Sequence, residues 1–204
     1  MSHMSTQMDY NQNKIWFDFE STGLNIYHEE IIEIGAINSK GDTFSTLVMP
    51  IRKISEKITK ITNITNEMVC GLPNEKQALI MFVEYCNNSF RTTNPETPIY
   101  LIAHNGNSFD FMFLKQISKR HSVRLPNFVF LDTINLSKLL FPERYSHSLA
   151  TICKYYSISQ ENAHRAFDDA RVLKLITEYM FKKYDQIYGI SEIESVVNKL
   201  NSKW

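Results

Sequence analysis

No charge of either sign dominates this chain: 22 basic residues balance 22 acidic ones over 204 residues. That balance excludes a protein that coats long nucleic acid by bulk electrostatics, which needs an excess of Lys and Arg. It leaves room for a site with a few local charges. No run of about 18 apolar residues occurs, so no membrane-spanning helix and no membrane partner is expected. The N-terminus lacks the charged flank and apolar core of a secretory signal, and an intracellular protein, cytoplasmic or nuclear, is expected. Cysteine is scarce: Cys70, Cys86 and Cys153 are odd in number and far apart, with no C-x-x-C pair. This excludes a disulfide framework and offers no zinc-ligand spacing, so reduced, buried thiols are expected. No repeat, low-complexity tract or linker divides the chain. Residues 1–13, which open on "MSHM", are expected to be a cloning scar and loose leader. Residues 14–204 are expected to form one domain, long enough to bury a core.

Alternation over 14–20 predicts a strand, and Glu30 to Asn38 and Thr43 to Met49 predict two more, joined by a tight turn at "SKGD". Short apolar runs at 98–103 and 127–131 predict buried strands. Helical spacing covers 73–88. Further helices are expected at 108–121, capped by Asn107 or Ser108, and at 133–140, 147–156, 165–184 and 190–201. Three strands in a meander, followed by strands alternating with helices, predict an α/β fold: a mixed five-stranded sheet with helices on both faces. Functional residues of such sheets gather near strand ends and the loops that follow.

Three clusters could carry chemistry. "KIWFDFESTGL" (14–24) places Trp16, Asp18 and Glu20 on one strand face and Ile15, Phe17 and Phe19 on the other. Two adjacent carboxylates in a covered sheet repel, and a divalent cation resolves that conflict; hard Mg²⁺ or Mn²⁺ takes such oxygen ligands. Taken alone, D-x-E reads first as a polar strand end. "AHNGNSFDFMFL" (103–114) runs from a strand through a sharp turn at His104, Asn105 and Gly106 into a helix with Asp110 in its first turn. An Asp there also simply complements the helix dipole. Phe109, beside this acid, either packs or touches a base. "AHRAFDDARVLKLI" (163–176) sets His164 and Asp169 five apart, about 140° around a helix, so the two cannot share a helical face. A joint role puts His164 in the loop before the helix and Asp169 on it, with Asp168 facing solvent. By itself His164 reads first as an ordinary surface histidine.

In combination the motifs say more. D-x-E, N-x-x-x-F-D and H-x-x-x-x-D, in that order, resemble the DEDDh exonucleases, the DnaQ-like branch of the ribonuclease-H-like superfamily. The four acids Asp18, Glu20, Asp110 and Asp169, with His164, match the residues that give the family its name. "ITKITNITNEMV" (58–69), "DTINLSKLLFP" (132–142) and "HSLATICKYYSI" (147–158) resemble further family segments, so the likeness spans about residues 14–180. The second motif resembles that of three-prime repair (TREX-type) exonucleases, whereas "AHRAFDDA" is closer to the bacterial H-R-A-L-x-D-A. Asn63 stands where the family has Gly, and Asn tolerates the positive φ that such a turn requires.

The resemblance implies a ribonuclease-H-like sheet and removal of 3′-terminal nucleotides as 5′-monophosphates. It implies two Mg²⁺ ions, with Mn²⁺ able to substitute: Asp18 bridging both, Glu20 and Asp169 on one, Asp110 mainly on the other, and His164 as general base. Because His164 is expected in a loop, it would swing in when substrate arrives. In "STGL", Thr22 is expected near the 3′-hydroxyl and Leu24 against the terminal base, with Asn105 and Phe109 lining the same pocket. Arg52, Lys53, Lys57 and Lys60 read either as a solvated loop or as a phosphate track. The implied partner is a nucleic acid 3′ end, single-stranded DNA first and RNA as the alternative, because no residue can be named that contacts a 2′-hydroxyl. A homodimer is allowed. A reading of a different class is a catalytically inactive exonuclease-like binding module.

Overall fold

The computed structural model describes residues 13–90, 97–160, 163–189 and 193–201. Eight-residue strands β1 (Lys14–Ser21) and β2 (Ile31–Asn38) are followed by β3 (Thr43–Leu47), then α1 (Glu56–Thr62), α2 (Asn66–Val69) and α3 (Glu75–Ser89). After these come β4 (Ile99–Ala103), α4 (Asp110–His121), β5 (Phe128–Asp132), α5 (Thr133–Leu140), α6 (Leu149–Tyr155), α7 (Ala166–Tyr188) and α8 (Ile193–Asn201). The sheet order is β3-β2-β1-β4-β5, with β1–β2 and β2–β3 antiparallel and β1–β4 and β4–β5 parallel. This is the mixed five-stranded sheet expected from the strand pattern.

The alternation in β1 sorts its side chains between two cores. Ile15, Phe17 and Phe19 pack with Phe82 of α3 and Phe111 and Leu114 of α4. Trp16 packs on the opposite side with Leu173, Ile176 and Met180 of α7. Asp18 and Glu20 therefore lie on the face that α7 covers. The last β1–β4 pair is Trp16↔Ile102, whereas β1 stays paired with β2 as far as Glu20↔Glu33 and shifts register between Glu20 and Ser21. Beyond Trp16 the parallel strands separate, which opens a crevice at their carboxyl ends where the two acids sit.

The fold departs from the sequence-based expectation in several places. Residues 51–72 contain α1 and α2, capped by the Ser55 and Thr65 side chains; at seven and four residues they are too short to display a helical period. Asn63 ends α1 at φ 58, the turn its identity suggested. Helix α4 starts at Asp110, not 108, and neither Asn107 nor Ser108 caps it; Phe109 holds the N-cap position without a side-chain bond. Helix α7 continues to Tyr188 and stops at Gly189, φ 67. Cys86 and Cys153 are buried as expected, but Cys70 is exposed, because it ends the short surface helix α2. Asn13, assigned to the leader, accepts a hydrogen bond from Tyr100 N–H at 2.7 Å and so belongs with the sheet. The rest of the expected leader, 1–12, lies outside the described residues. Among the described residues no helix is long and apolar enough to cross a membrane.

Helix α7 meets β2 without clearance at Gly35, where a Cβ would fall 2.2 Å from the backbone of Ala166 and Phe167. Gly35→Ala is therefore expected to destabilise the fold by about 3 kcal/mol or more, since two backbones must part. Urea denaturation of the variant against the parent checks this, and equal midpoints would contradict the close packing.

Candidate active site

The structure brings four acids and one histidine to the crevice from three regions of the chain. Asp18 and Glu20 come from β1. Asp110 arrives from the first turn of α4, and its Oδ1 accepts the Phe19 backbone N–H at 3.0 Å, a tie across 91 residues that brings it beside the two β1 acids. Asp169 lies in the first turn of α7, and its Oδ2 accepts the His164 backbone N–H at 2.9 Å. His164 is exposed, outside the helix, at φ 65, as the five-residue spacing required. Glu20, His164 and Asp169 each offer a ligand atom, and these atoms lie within 4.8 Å of one another. Asp168 turns toward Arg171, 3.8 Å away.

Burial and crowding push these carboxyls toward the protonated form. Burial first, then repulsion from Asp110, Glu20 and Asp169, holds Asp18 well above the usual carboxylate range. Glu20 is pushed up to about 8 by burial, then by Asp169 and Glu33. Asp110 rises to about 7 through burial, against the pull of the Phe19 N–H. Burial also raises Asp169, opposed by the N–H of His164. Oxygen donors that repel one another in this way, with one imidazole at the rim, form the kind of donor set that a hard divalent cation accepts.

The loop carrying Asp110 is held by a residue outside the cluster. Asp132, at the end of β5, accepts N–H bonds from Asn105 (3.0 Å), Asn107 (3.0 Å) and Ile134 (2.9 Å). Those bonds explain why Asn107 does not cap α4: the loop is folded back on β5. Gly106 lets the loop rest on Phe111, whose ring lies 2.5 Å from where a Cβ would be. His104 is structural. Its Nδ1 lies 2.8 Å from Thr133 Oγ1, and burial lowers its pKa to about 4, so it stays neutral.

Beside the acids runs a cleft of about 330 Å³, lined by Glu20, Thr22, Leu24, Lys57, Ile58, Ile61 and Phe109, among others. Leu24 is 85% exposed. Thr22 donates its hydroxyl proton to Glu29 at 2.6 Å and accepts the Glu30 N–H at 3.0 Å. Asn105 does not share this lining: its positive φ and its backbone bonds serve the loop turn instead. Of the four clustered cations only Lys57 reaches the cleft; Arg52, Lys53 and Lys60 are outside its lining.

Residues 15–177 match the exonuclease family RNase_T. The chain belongs to this family of exonucleases. It is thus a DEDDh-type, DnaQ-like exonuclease domain and a nuclease hydrolase. It is 35% identical over 194 residues to the PolC-type DNA polymerase III of Clostridium perfringens, an alignment covering 93% of this chain but 13% of the polymerase. The chain thus spans about one eighth of the length of that relative. Exonuclease X in complex with 5′ overhanging duplex DNA shares the fold (TM-score 0.59, 19% identity, 87% of this chain and 93% of that one). So does the zinc-bound form of the Escherichia coli ExoI–ssDNA complex (TM-score 0.66, 17% identity, 87% and 42%). Exonucleases of this family generally use divalent metal ions.

Sequence reasoning passed over Glu33, Arg165 and Asp132 as site residues. Glu33 sat unremarked in an apolar strand, although an acid between isoleucines in "IIEIG" was a signal that it has a buried partner.

The raised carboxyls make a testable link between pH, metal and stability. The folded, metal-free protein keeps a proton on Glu20 that the unfolded chain releases, because the folded value, about 8, lies above the ordinary 4.5. That stabilisation is full below 4.5 and is lost as pH rises through about 8. In EDTA the melting temperature is expected to fall across this window, with Mg²⁺ or Mn²⁺ restoring it most at the alkaline end. Glu20→Gln is expected to flatten the fall, as followed by circular dichroism; an unaltered slope would count against the assignment.

Proposed function

We propose that this domain hydrolyses nucleic acids from the 3′ end, with single-stranded DNA as its favoured substrate, and releases nucleoside 5′-monophosphates. The observation that carries the reading is the convergence of Glu20, His164 and Asp169 within 4.8 Å, beside Asp18 and Asp110, at the mouth of a cleft. In this reading Asp18, Glu20, Asp110 and Asp169 hold two Mg²⁺ ions, or Mn²⁺ in their place, and ionise as they do so. The bound cations supply positive charge for the attacking and leaving oxygens of the phosphodiester. His164 takes the proton of the attacking water on an imidazole nitrogen. Asp169 also keeps the His164 backbone in place through the N–H bond at 2.9 Å.

The cleft receives the last nucleotide. Leu24, Ile58, Ile61 and Phe109 offer apolar surface to its base. The Thr22 hydroxyl, with its proton given to Glu29 and one lone pair taken by Glu30 N–H, has a second lone pair to accept from a 3′-hydroxyl. Lys57 stands at the rim for a phosphate. The relation to PolC-type polymerases supports a proofreading or repair setting, and the ssDNA-bound ExoI neighbour supports a single strand as substrate.

Equal-length single-stranded DNA, duplex DNA and RNA, each labelled at the 5′ end, test the proposal. A ladder shortening from the 3′ end is expected with Mg²⁺ and not with EDTA, fastest on single-stranded DNA; no release with any metal would leave the binding-module alternative standing. Asp18→Ala and Asp169→Ala are expected to abolish release while the fold persists, and His164→Ala to slow it by about 10²–10⁴-fold. Wild-type rates in Asp18→Ala would sink the metal assignment, and a wild-type pH–rate curve in His164→Ala would sink the base.

A further inference from the structure

A fifth acid borders the site and does something different from the other four. Glu33 lies directly opposite Glu20 in the antiparallel β1–β2 pair and is 1% exposed. Like charges facing each other across a strand pair destabilise it, and a buried unpaired carboxylate is costlier still. Glu33 is compensated from 132 residues away. Arg165 Nε lies 3.2 Å from both of its oxygens, and Nη2 lies 2.9 Å from Oε1. The neighbouring Ala166 N–H donates to Oε2 at 2.9 Å. Helix α7 has no side-chain cap of its own at Arg165, so this β2 carboxylate serves as its cap. With a forked guanidinium and a helix N–H on its oxygens, Glu33 is committed to the protein rather than to a cation.

The segment held in this way is the one that carries the chemistry. His164 immediately precedes Arg165, in the left-handed region at φ 65, and Asp169 follows one turn into the helix. Gly35, two residues along β2, gives the helix start its seat against the strand. Sliding or tilting this segment moves His164 and Asp169 together relative to Glu20.

We infer that Glu33 and Arg165 are positioning residues. Their ion pair latches the start of α7 to β2 and thereby sets the placement of His164 and Asp169 opposite Glu20. The inference rests on the exonuclease reading for its catalytic consequence and on geometry alone for the latch. Arg165 in this role touches no substrate, so its loss lowers turnover and leaves substrate affinity largely intact.

The test uses the full chain with Mg²⁺ and 5′-labelled single-stranded DNA. It compares Arg165→Ala, the shape-conserving Glu33→Gln, and the double variant. Each single change is expected to lower kcat by about 10–100-fold with KM little changed. The double variant is expected to be no slower than the slower single, because both break one interaction. Free guanidinium, below denaturing concentrations, should restore part of the rate to Arg165→Ala but not to the double variant, which lacks the carboxylate to hold it. A raised KM at unchanged kcat would make Arg165 a substrate contact and overturn the latch, as would losses that multiply in the double variant or a rate that guanidinium leaves unmoved. Amide hydrogen exchange over 163–170, read by mass spectrometry, tests the latch without activity. Faster exchange there in both single variants, with β1 and β4 unaffected, is expected, and parent-like exchange refutes it. If the parent chain releases no mononucleotide while exchange still responds, the latch stands and the exonuclease reading fails.

Discussion

The mutual repulsion of Asp18, Glu20, Asp110 and Asp169 in a partly dry crevice organises what surrounds them, because each carboxylate must lose water and tolerate the others. The protein meets this demand in several ways at once. Strands β1 and β4 part after Trp16, which leaves the acids at a strand end instead of sealed beneath a helix. Phe19 N–H and His164 N–H each point at one carboxylate. The charge still left over keeps the carboxyls prone to protonation, so a divalent cation that binds them must displace those protons.

A second pattern runs through the loops. The segments around Asp110, His164 and Thr22 are each tied down by acids outside the cluster, through backbone N–H groups or side-chain donors. Asp132 holds 105–107, ahead of Asp110, and Glu33 holds 165–166, after His164. The loop after β1 is held twice: Glu29 takes the Thr22 hydroxyl, and Glu75 takes Ile31 N–H together with Arg120, whose guanidinium also reaches the carbonyls of Ile26 and Glu29. Side chains on loops are easily misplaced by an ångström, and rates are sensitive to that distance. Acid-to-backbone ties give loops some of the rigidity of the sheet.

The neutral overall charge fits the proposed grip on the end of a strand rather than its length. The cleft beside the acids has apolar side chains and a single lysine in its lining. The domain matches about one eighth of the length of a PolC-type polymerase.

What the sequence by itself determined was local. The period of two in 14–20 put Asp18 and Glu20 on one face, and the five-residue gap from His164 to Asp169 separated loop from helix. The order of the three motifs pointed to the family that the match over 15–177 supports. The late start of α4 and the place of Asn105 outside the cleft lining were decided by tertiary contacts, above all the bonds from Asn105 and Asn107 N–H to Asp132, whereas the two short helices between β3 and α3 rest on local caps at Ser55 and Thr65. The tie from Phe19 to Asp110 spans 91 residues and the pair of Glu33 with Arg165 spans 132. Periodicity reports which face of an element is buried; it carries nothing about which distant partner satisfies a buried charge, because that choice is made only when the sheet and α7 pack together.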